Sequence, residues 1–344
     1  MTERNTIGPR RVGLLGVGTV GTALVNLLGE RQDVPATISK ALVRDLEKPR
    51  SIVHPERLLT TDAAEVLENA DILVELMGGV SLAGDLMLEA LEAGKRVVTA
   101  NKAVLAERWE SFEDYLKAGL LYYEAAVMAG TPVIGPLTDA LRGSKPLELH
   151  GILNGTCTYI LSKLEEGSPY QEALAEAQRL GYAEADPTLD VEGFDAAHKL
   201  TILARLSFDP SLSWEKVKAK THGISHLTPA IVKEAMEDGG RVRLLGSVYP
   251  SEGEWRVEVR PVYLPASHPL AASEGTRNAV LFRGDAVGEV FISGAGAGAE
   301  PTASAVLADV LNAVESRPGP RVLSRAFKPP LDYRPDDLGE LKRE

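Results

Sequence analysis

Between residues 12 and 28 an apolar segment, VGLL (12–15), runs into Gly16-Val17-Gly18-Thr19-Val20-Gly21, after which Val20, Leu24, Leu27 and Leu28 recur at helical spacing. A strand that turns on glycines straight into a helix leaves few folds open. GxGxxG is common by chance, but in this context each glycine has its own mechanical task. Gly16 permits the tight turn, Gly18 lets backbone N–H groups approach a pyrophosphate, and Gly21 lets the helix pack on the strand. The helix N-terminus then favours the anion. A ligand-free tight turn is the alternative reading.

The rest of the first half keeps this rhythm. Strand candidates TISKALV (37–43), DILVEL (71–76), RVVTA (96–100) and LLYYEA (120–125) alternate with helix-length segments, among them 81–93, stopped by Gly94, and 103–118. Alternation of this kind predicts a Rossmann-type, doubly wound parallel α/β sheet. After about residue 135 it ceases. Strand LELHGIL (147–153) precedes mostly helical sequence over 157–238. Then VRLLGSVY (242–249), WRVEVRPVYL (255–264), AVLFRG (279–284) and AVGEVFI (286–292) follow one another across short turn-rich links, as antiparallel strands do. We expect a dinucleotide-binding domain over 1–135, completed by the helix PTASAVLADVLNAV (301–314) within 299–320. An α+β domain over 136–298 is inserted, and a Pro-rich, loosely held tail covers 321–344.

At 344 residues the chain is long enough for two cores, and 44% hydrophobic with 25% charged residues is the balance of a folded globular protein. Lys and Arg number 37 against 49 Asp and Glu, a net charge of -12, the wrong sign for holding phosphate backbones or anionic lipid. A single cysteine, Cys157, excludes an intrachain disulfide, a CxxC redox pair and a multi-cysteine zinc site, and points to a reducing, cytoplasmic setting. Residues 1–10 are polar, with no apolar signal core, and no run reaches the roughly 18 apolar residues of a spanning helix. The six histidines form no HExxH pair, and His198 reads as an ordinary helix residue, so zinc chemistry is disfavoured.

The end of the second strand selects among dinucleotides, because a carboxylate there hydrogen-bonds a ribose 2′-OH whereas an arginine accommodates a 2′-phosphate. This chain offers Arg44, followed by Asp45, so we expect NADP, with NAD possible. A solvated surface arginine is the alternative.

Besides GVGTVG, the chain carries VELMGG (74–79), VVTANKA (97–103), YEAAV (123–127), GILNGT (151–156), GYAEADPTLDVEGFDAAHKL (181–200) and GAGAEPTASAV (296–306). In this order, from about residue 11 to residue 315, these resemble homoserine dehydrogenase. The resemblance implies reversible NAD(P)-dependent reduction of L-aspartate 4-semialdehyde to L-homoserine, on the way to threonine, methionine and isoleucine. It also implies proton transfer by Lys199, a second active-site lysine at Lys102, and homoserine binding by Glu184, Asp195, Asp190 and Thr156. For the cofactor it implies Gly16, Gly18, Thr19, Val20, Gly21, Arg44, Met77, Thr99, Lys102, Gly181, Glu184 and Gly298. A structural monovalent cation such as sodium would lie at Glu124 and the carbonyls of Val127, Ala129 and Thr131. The α+β domain would be catalytic and dimer-forming, giving a homodimer acting on a small molecule. The chain departs from the family wording at Cys157-Thr158, commonly Thr-Asn, and at Met128-Ala129-Gly130-Thr131. It ends about thirty residues after the GAGAEPTASAV helix, so no appended regulatory domain, and no threonine feedback through one, is expected.

The residue types suit this chemistry. Asp195 and Lys199, four apart, project from one side of a helix and can act on one ligand, although an ordinary surface pair has the same spacing. Hydride delivery to an aldehyde builds charge on oxygen, and a lysine, protonated at neutral pH, is ready to donate. The reverse oxidation needs the neutral amine. Lys102 follows the fourth strand, at the carboxyl edge where open α/β sheets place ligands, though a solvated loop lysine reads the same. Asp186 and Asp190, close to Glu184, could hold a hard metal, but substrate binding or loop structure is preferred. Asn154-Gly155-Thr156 is formally a glycosylation acceptor, with a helix cap as the plain alternative. Two competing readings are an aldehyde dehydrogenase using Cys157 as nucleophile and a nucleotide sensor without catalysis.

Overall fold

In the computed structural model, which describes residues 9–336, 338, 339 and 341, the apolar segment ahead of the glycines is β1 (Arg10–Leu15), with Val12, Leu14 and Leu15 fully buried. The polar N-terminal stretch 1–8 and tail positions 337, 340 and 342–344 lie outside the described residues. β1 pairs in parallel with β2 (Ala36–Leu42) on one side and with β4 (Ile72–Glu75) on the other. With β3 (Leu59–Thr60), β5 (Arg96–Thr99) and β6 (Leu121–Tyr122), the sheet has the order β3-β2-β1-β4-β5-β6. The strand order reverses beside β1, which opens a crevice at the strands' carboxyl ends, under the glycine loop. β3 has only two residues, too few for a periodic signal, and was not anticipated.

Six helices connect these strands: α1 (Thr19–Glu30), α2 (Pro55–Leu58), α3 (Ala63–Glu68), α4 (Ser81–Glu92), α5 (Lys102–Glu107) and α6 (Trp109–Lys117). Gly94, at φ +75°, ends α4 as expected, and its N–H donates to Leu91 O. The single helix expected over 103–118 is instead broken at Arg108, whose φ of -123° is not helical. Its guanidinium reaches the Ser81 carbonyl (3.0 Å) and pairs with Asp85 (2.8 Å), filling the place a Cβ on Gly84 would need. The strand expected over 120–125 stops at Tyr122 and is followed by a 3-10 turn, Glu124–Ala126. The later helix Ala299–Val314 returns to this unit, where Val306, Leu307, Val310 and Ala313 share one core with Leu24, Val25 and Leu28 of α1 and with Val12, Val74 and Val98 of the sheet. Contacts accordingly group Met1–Gly130 with Gly298–Arg321, and Thr131–Ala297 with Val322–Glu344.

The second unit is built on an antiparallel sheet of β7 (Pro146–Ile152), β8 (Gly240–Ser251), β9 (Glu254–Pro265), β10 (Arg277–Gly284) and β11 (Gly288–Ala295), in the order β11-β10-β7-β8-β9. The strand met first in sequence lies in the middle, flanked by β10 and β8. Its helices are α7 (Gly155–Glu165), α8 (Tyr170–Arg179), α9 (Thr188–Val191), α10 (Phe194–Ser207), α11 (Trp214–Lys218) and α12 (Pro229–Glu237). α10 is buried on every face from Asp195 to Ser207, and the missing side chain of Gly246 on β8 makes room for Leu200. The tail, expected to be loosely held, is pinned to this unit. Phe327 donates to Phe208 O (2.8 Å) and accepts from the Trp255 indole (2.8 Å), Asp336 N–H donates to Glu148 (3.0 Å), and Tyr263 bridges to Gly339. Composition reports that such a segment forms no regular element, but not that its backbone groups find partners on a neighbouring surface. Among the described residues no helix is long and apolar enough to cross a membrane.

In the first unit Asp309 of the returning helix is buried and accepts a hydrogen bond from Glu124 N–H (2.8 Å). Burial, with the charge of Glu124 adding to it, pushes the Asp309 carboxyl up from 3.8 to about 8. Unfolded chain releases this proton near the lower value and folded chain near the higher, so stability falls as pH rises between them and stays reduced above. Asp309→Asn keeps an acceptor for the Glu124 N–H and removes the titration. Its melting temperature should vary less than the parent's between about pH 5 and about pH 9 and exceed it at the alkaline end, by thermal melts across that range.

Candidate active site

The glycine loop of the first unit makes its tight turn at Gly16, as expected. Gly16 has φ +99°, and a Cβ there would lie 2.8 Å from the Leu76 carbonyl oxygen. Gly18 caps α1, and a Cβ at that position would meet nothing within 4 Å, so its backbone is open to an approaching group. A Cβ on Gly21 would fall 2.2 Å from the carbonyl oxygen of Gly16, so this glycine lets α1 close on the loop rather than on the strand. Thr19 is exposed and Val20 half-buried at the helix start. Arg44 is exposed just beyond β2. Sequence reasoning missed Arg50, whose Nε donates to Val17 O (3.2 Å) and whose Nη1 donates to Asp45 O (2.9 Å) and Lys48 O (2.8 Å), bracing the loop after β2 against the glycine turn.

Across β1, the end of β4 carries another unanticipated residue. Glu75 is fully buried, its Oε1 accepting from Met77 N (2.8 Å) and Gly78 N (3.2 Å), its Oε2 from the Thr99 hydroxyl (2.7 Å). Burial raises its pKa and these donors oppose the rise. Thr99 in turn accepts from Asn101 N (2.9 Å), and the Asn101 side chain accepts from Val104 N (3.2 Å), capping α5, whose first residue is Lys102. Gly298, at φ +128°, caps the returning helix. In the loop after the 3-10 turn Met128 and Ala129 both have left-handed backbone, φ 60° and 50°, and Glu124 is half-buried.

In the second unit Asp195 and Lys199 are not a surface pair: each is 8% exposed, with Lys199 Nζ donating to Asp195 Oδ2 (2.8 Å) and to Leu153 O (2.7 Å). Asn154 joins them to a third charge. Its Nδ2 donates to Asp195 Oδ2 (2.8 Å) and Asp190 Oδ1 (2.7 Å), while its Oδ1 accepts from Cys157 N (2.8 Å) and caps α7. The helix-cap reading of Asn154 thus holds, and its amide additionally gathers the carboxylates, which spacing could not reveal. Buried Asn278, also missed, donates to the same Leu153 carbonyl (3.0 Å). Thr156 donates to Tyr182 O (2.7 Å) in the turn that carries Gly181, at φ +77°, and exposed Glu184. Asp186 accepts from Thr188 N (3.1 Å) and its hydroxyl (2.6 Å), which is loop structure at the start of α9 rather than metal ligation. Thr131 donates to Ala295 O (3.1 Å).

Cys157 is fully buried, its thiol donating to Asp190 O (3.1 Å), and burial pushes its pKa well up. A nucleophilic thiol needs the opposite surroundings, so the acyl-enzyme reading loses its nucleophile. His198 stacks on Trp214, centroids 4.3 Å apart, as a packed helix residue. The grouping Glu148, His150 and Asp336 has metal-capable atoms within 4.8 Å of one another, but Arg283 donates to both carboxylates and takes the cation's place.

The family model of homoserine dehydrogenase matches residues 132–311, and that of the homoserine dehydrogenase NAD binding domain matches residues 16–119. A homoserine dehydrogenase of Bacillus subtilis (strain 168) is 42% identical over 313 residues, 88% of this chain and 72% of its own. The chain belongs to the homoserine dehydrogenase family. It is an NAD(P)-dependent oxidoreductase with homoserine dehydrogenase activity. Among solved structures, a homoserine dehydrogenase from Thiobacillus denitrificans has a TM-score of 0.84 at 41% identity, covering 90% of this chain and 73% of that one. A hyperthermophilic archaeal homoserine dehydrogenase in complex with NADPH has a TM-score of 0.73 at 27% identity, covering 91% and 100%.

The glycine geometry is directly testable. Gly21→Ala, which forces α1 off the Gly16 carbonyl, should weaken NADPH binding at least about tenfold, measured by nucleotide fluorescence. Gly18→Ala, uncrowded in the free chain, should leave the melting temperature unchanged and lose affinity alone.

Proposed function

We propose that buried Lys199, Asp195 and Asn154, with half-buried Asp190, are where this chain interconverts L-homoserine and L-aspartate 4-semialdehyde, with Lys199 moving the proton. The observation that carries this reading is a buried lysine, aspartate and asparagine joined to a second, half-buried carboxylate, at a place where apolar side chains of similar volume are often at least as stable. Lys199 turns two of its three donors to Asp195 and Leu153 O, and the third serves the substrate oxygen. Asp190, Asp195 and Glu184, with the Thr156 oxygen, receive the substrate's ammonium group. In the first unit the backbone of Gly16, Gly18, Thr19, Val20 and Gly21 takes the pyrophosphate, and Met77, Thr99, Lys102 and Gly298 complete its cofactor contacts. Gly181 and Glu184 also serve the cofactor, and Lys102 is the second active-site lysine. Bound nicotinamide supplies or accepts the hydride.

Arg44, exposed at the end of β2, favours NADP through its guanidinium fork, with NAD also used, and the archaeal relative's NADPH complex supports that reading. Glu124 and the carbonyls of Val127, Ala129 and Thr131 hold a structural monovalent cation. The left-handed pair Met128 and Ala129 supports this, because such backbone is costly and turns carbonyls out of the ordinary run. Residues 1–135 with 299–320 form the dinucleotide domain, 136–298 the catalytic and dimer-forming domain of a homodimer. The lone buried cysteine fits a cytoplasmic setting.

Steady-state kinetics with homoserine and either cofactor test this. Lys199→Ala should lower kcat about a hundredfold or more, and an unchanged kcat would remove Lys199 from the chemistry. Cys157→Ser should stay within about threefold of the parent, whereas a thiol nucleophile would cost about a thousandfold. Arg44→Ala should raise KM for NADP about tenfold and leave NAD unaffected.

A further inference from the structure

At the carboxyl end of β4 a charged side chain has been drawn fully into the interior, where ionised groups are costly unless each lone pair is used. Glu75 uses its oxygens asymmetrically. Oε1 faces the turn that follows it, through Met77 N and Gly78 N, and Oε2 faces the neighbouring strand, through the Thr99 hydroxyl. Because that hydroxyl gives its one proton to Glu75, its oxygen is turned toward Asn101 N. Asn101 then does two things with its side chain: Nδ2 donates to Gly79 O (2.7 Å), and Oδ1 accepts from Val104 N. Lys102 is the residue between these anchors and the first of α5.

We propose that Glu75 is a positioning residue which, through the Thr99 hydroxyl and Asn101, fixes where Lys102 is presented at the sheet edge. The proposal rests on Lys102 being an active-site lysine. The two oxygens of Glu75 separate its roles. A glutamine keeps one carbonyl oxygen for the Met77 and Gly78 N–H groups but puts an amide donor opposite Thr99. The threonine oxygen can take that donor, yet its own proton then loses its acceptor at a position of zero exposure. The turn of residues 77–79 survives this change, whereas the acceptor that orients the Thr99 hydroxyl, and through it Asn101 and Lys102, is lost.

The experiment compares Glu75→Gln, Thr99→Val, Thr99→Ser and Lys102→Ala in the full chain, reading kcat for homoserine oxidation, NADPH affinity by fluorescence, and melting temperature. Glu75→Gln and Thr99→Val should each lose about 10- to 100-fold in kcat, Glu75→Gln with NADPH affinity within about threefold, and Thr99→Ser, which keeps the hydroxyl, should restore most of the rate. The double variant Glu75→Gln/Lys102→Ala should be no slower than Lys102→Ala alone, because both changes remove the same contribution. Should Lys102→Ala run at the parent's rate, the lysine's role is wrong and the proposal falls with it. With Lys102→Ala impaired, parent-like kcat in folded Glu75→Gln and Thr99→Val would overturn the proposal alone. Losses in melting temperature or cofactor affinity without loss of kcat would make Glu75 a purely structural group.

Discussion

A lysine and an aspartate enclosed within protein, with a second carboxylate half-buried beside them, must find partners, and the second unit is arranged so that one amide does the matching. Asn154 gives both protons of its side-chain nitrogen to Asp190 and Asp195, and spends its oxygen on the first turn of α7. The same residue therefore starts a helix and sets the carboxylates around Lys199. The carbonyl of the preceding Leu153, at the end of the central strand β7, accepts one hydrogen bond from Lys199 and another from Asn278. A strand end, a helix start and a helix interior are thus tied at a single point, and this explains why α10 can be buried on all sides while carrying ionised groups.

The first unit solves a different problem with the same economy. Its sheet must present backbone N–H groups toward a polyanion while keeping α1 close, and the 2.2 Å space that Gly21 leaves for the Gly16 carbonyl is what permits the approach. On the other side of β1 the carboxylate of Glu75 gathers the N–H groups of the following turn and the hydroxyl of β5. Two adjacent strand ends, one glycine-rich and braced by Arg50, the other acidic, thereby acquire fixed loops.

Much of this was legible in the residues. Periodicity placed the parallel strands because buried strands are short apolar runs, and the loss of alternation after residue 135 marked the change to an antiparallel sheet. The glycine loop was legible because conformational freedom and close approach are properties of single residues. What escaped were features that depend on partners distant in sequence. Arg108 breaks a helix because of groups some 25 residues earlier, at Ser81 and Asp85. The Pro-rich tail owes its order to Phe208, Trp255 and Glu148. Asp195 and Lys199 read equally well as a solvated pair until the burial of α10 was seen, and the roles of Asn154, Asn278 and Glu75 consist entirely of bonds that no spacing encodes.

The return of residues 299–314 to the first unit has a bearing on how the chain acquires its structure. A core that requires Val306, Leu307 and Val310 cannot be completed when residue 130 leaves the ribosome. All five antiparallel strands are synthesised in the interval, so the early sheet waits with one apolar face uncovered until its last helix arrives. Long-range closure of this sort makes the nascent amino-terminal portion the piece most in need of protection from aggregation during translation.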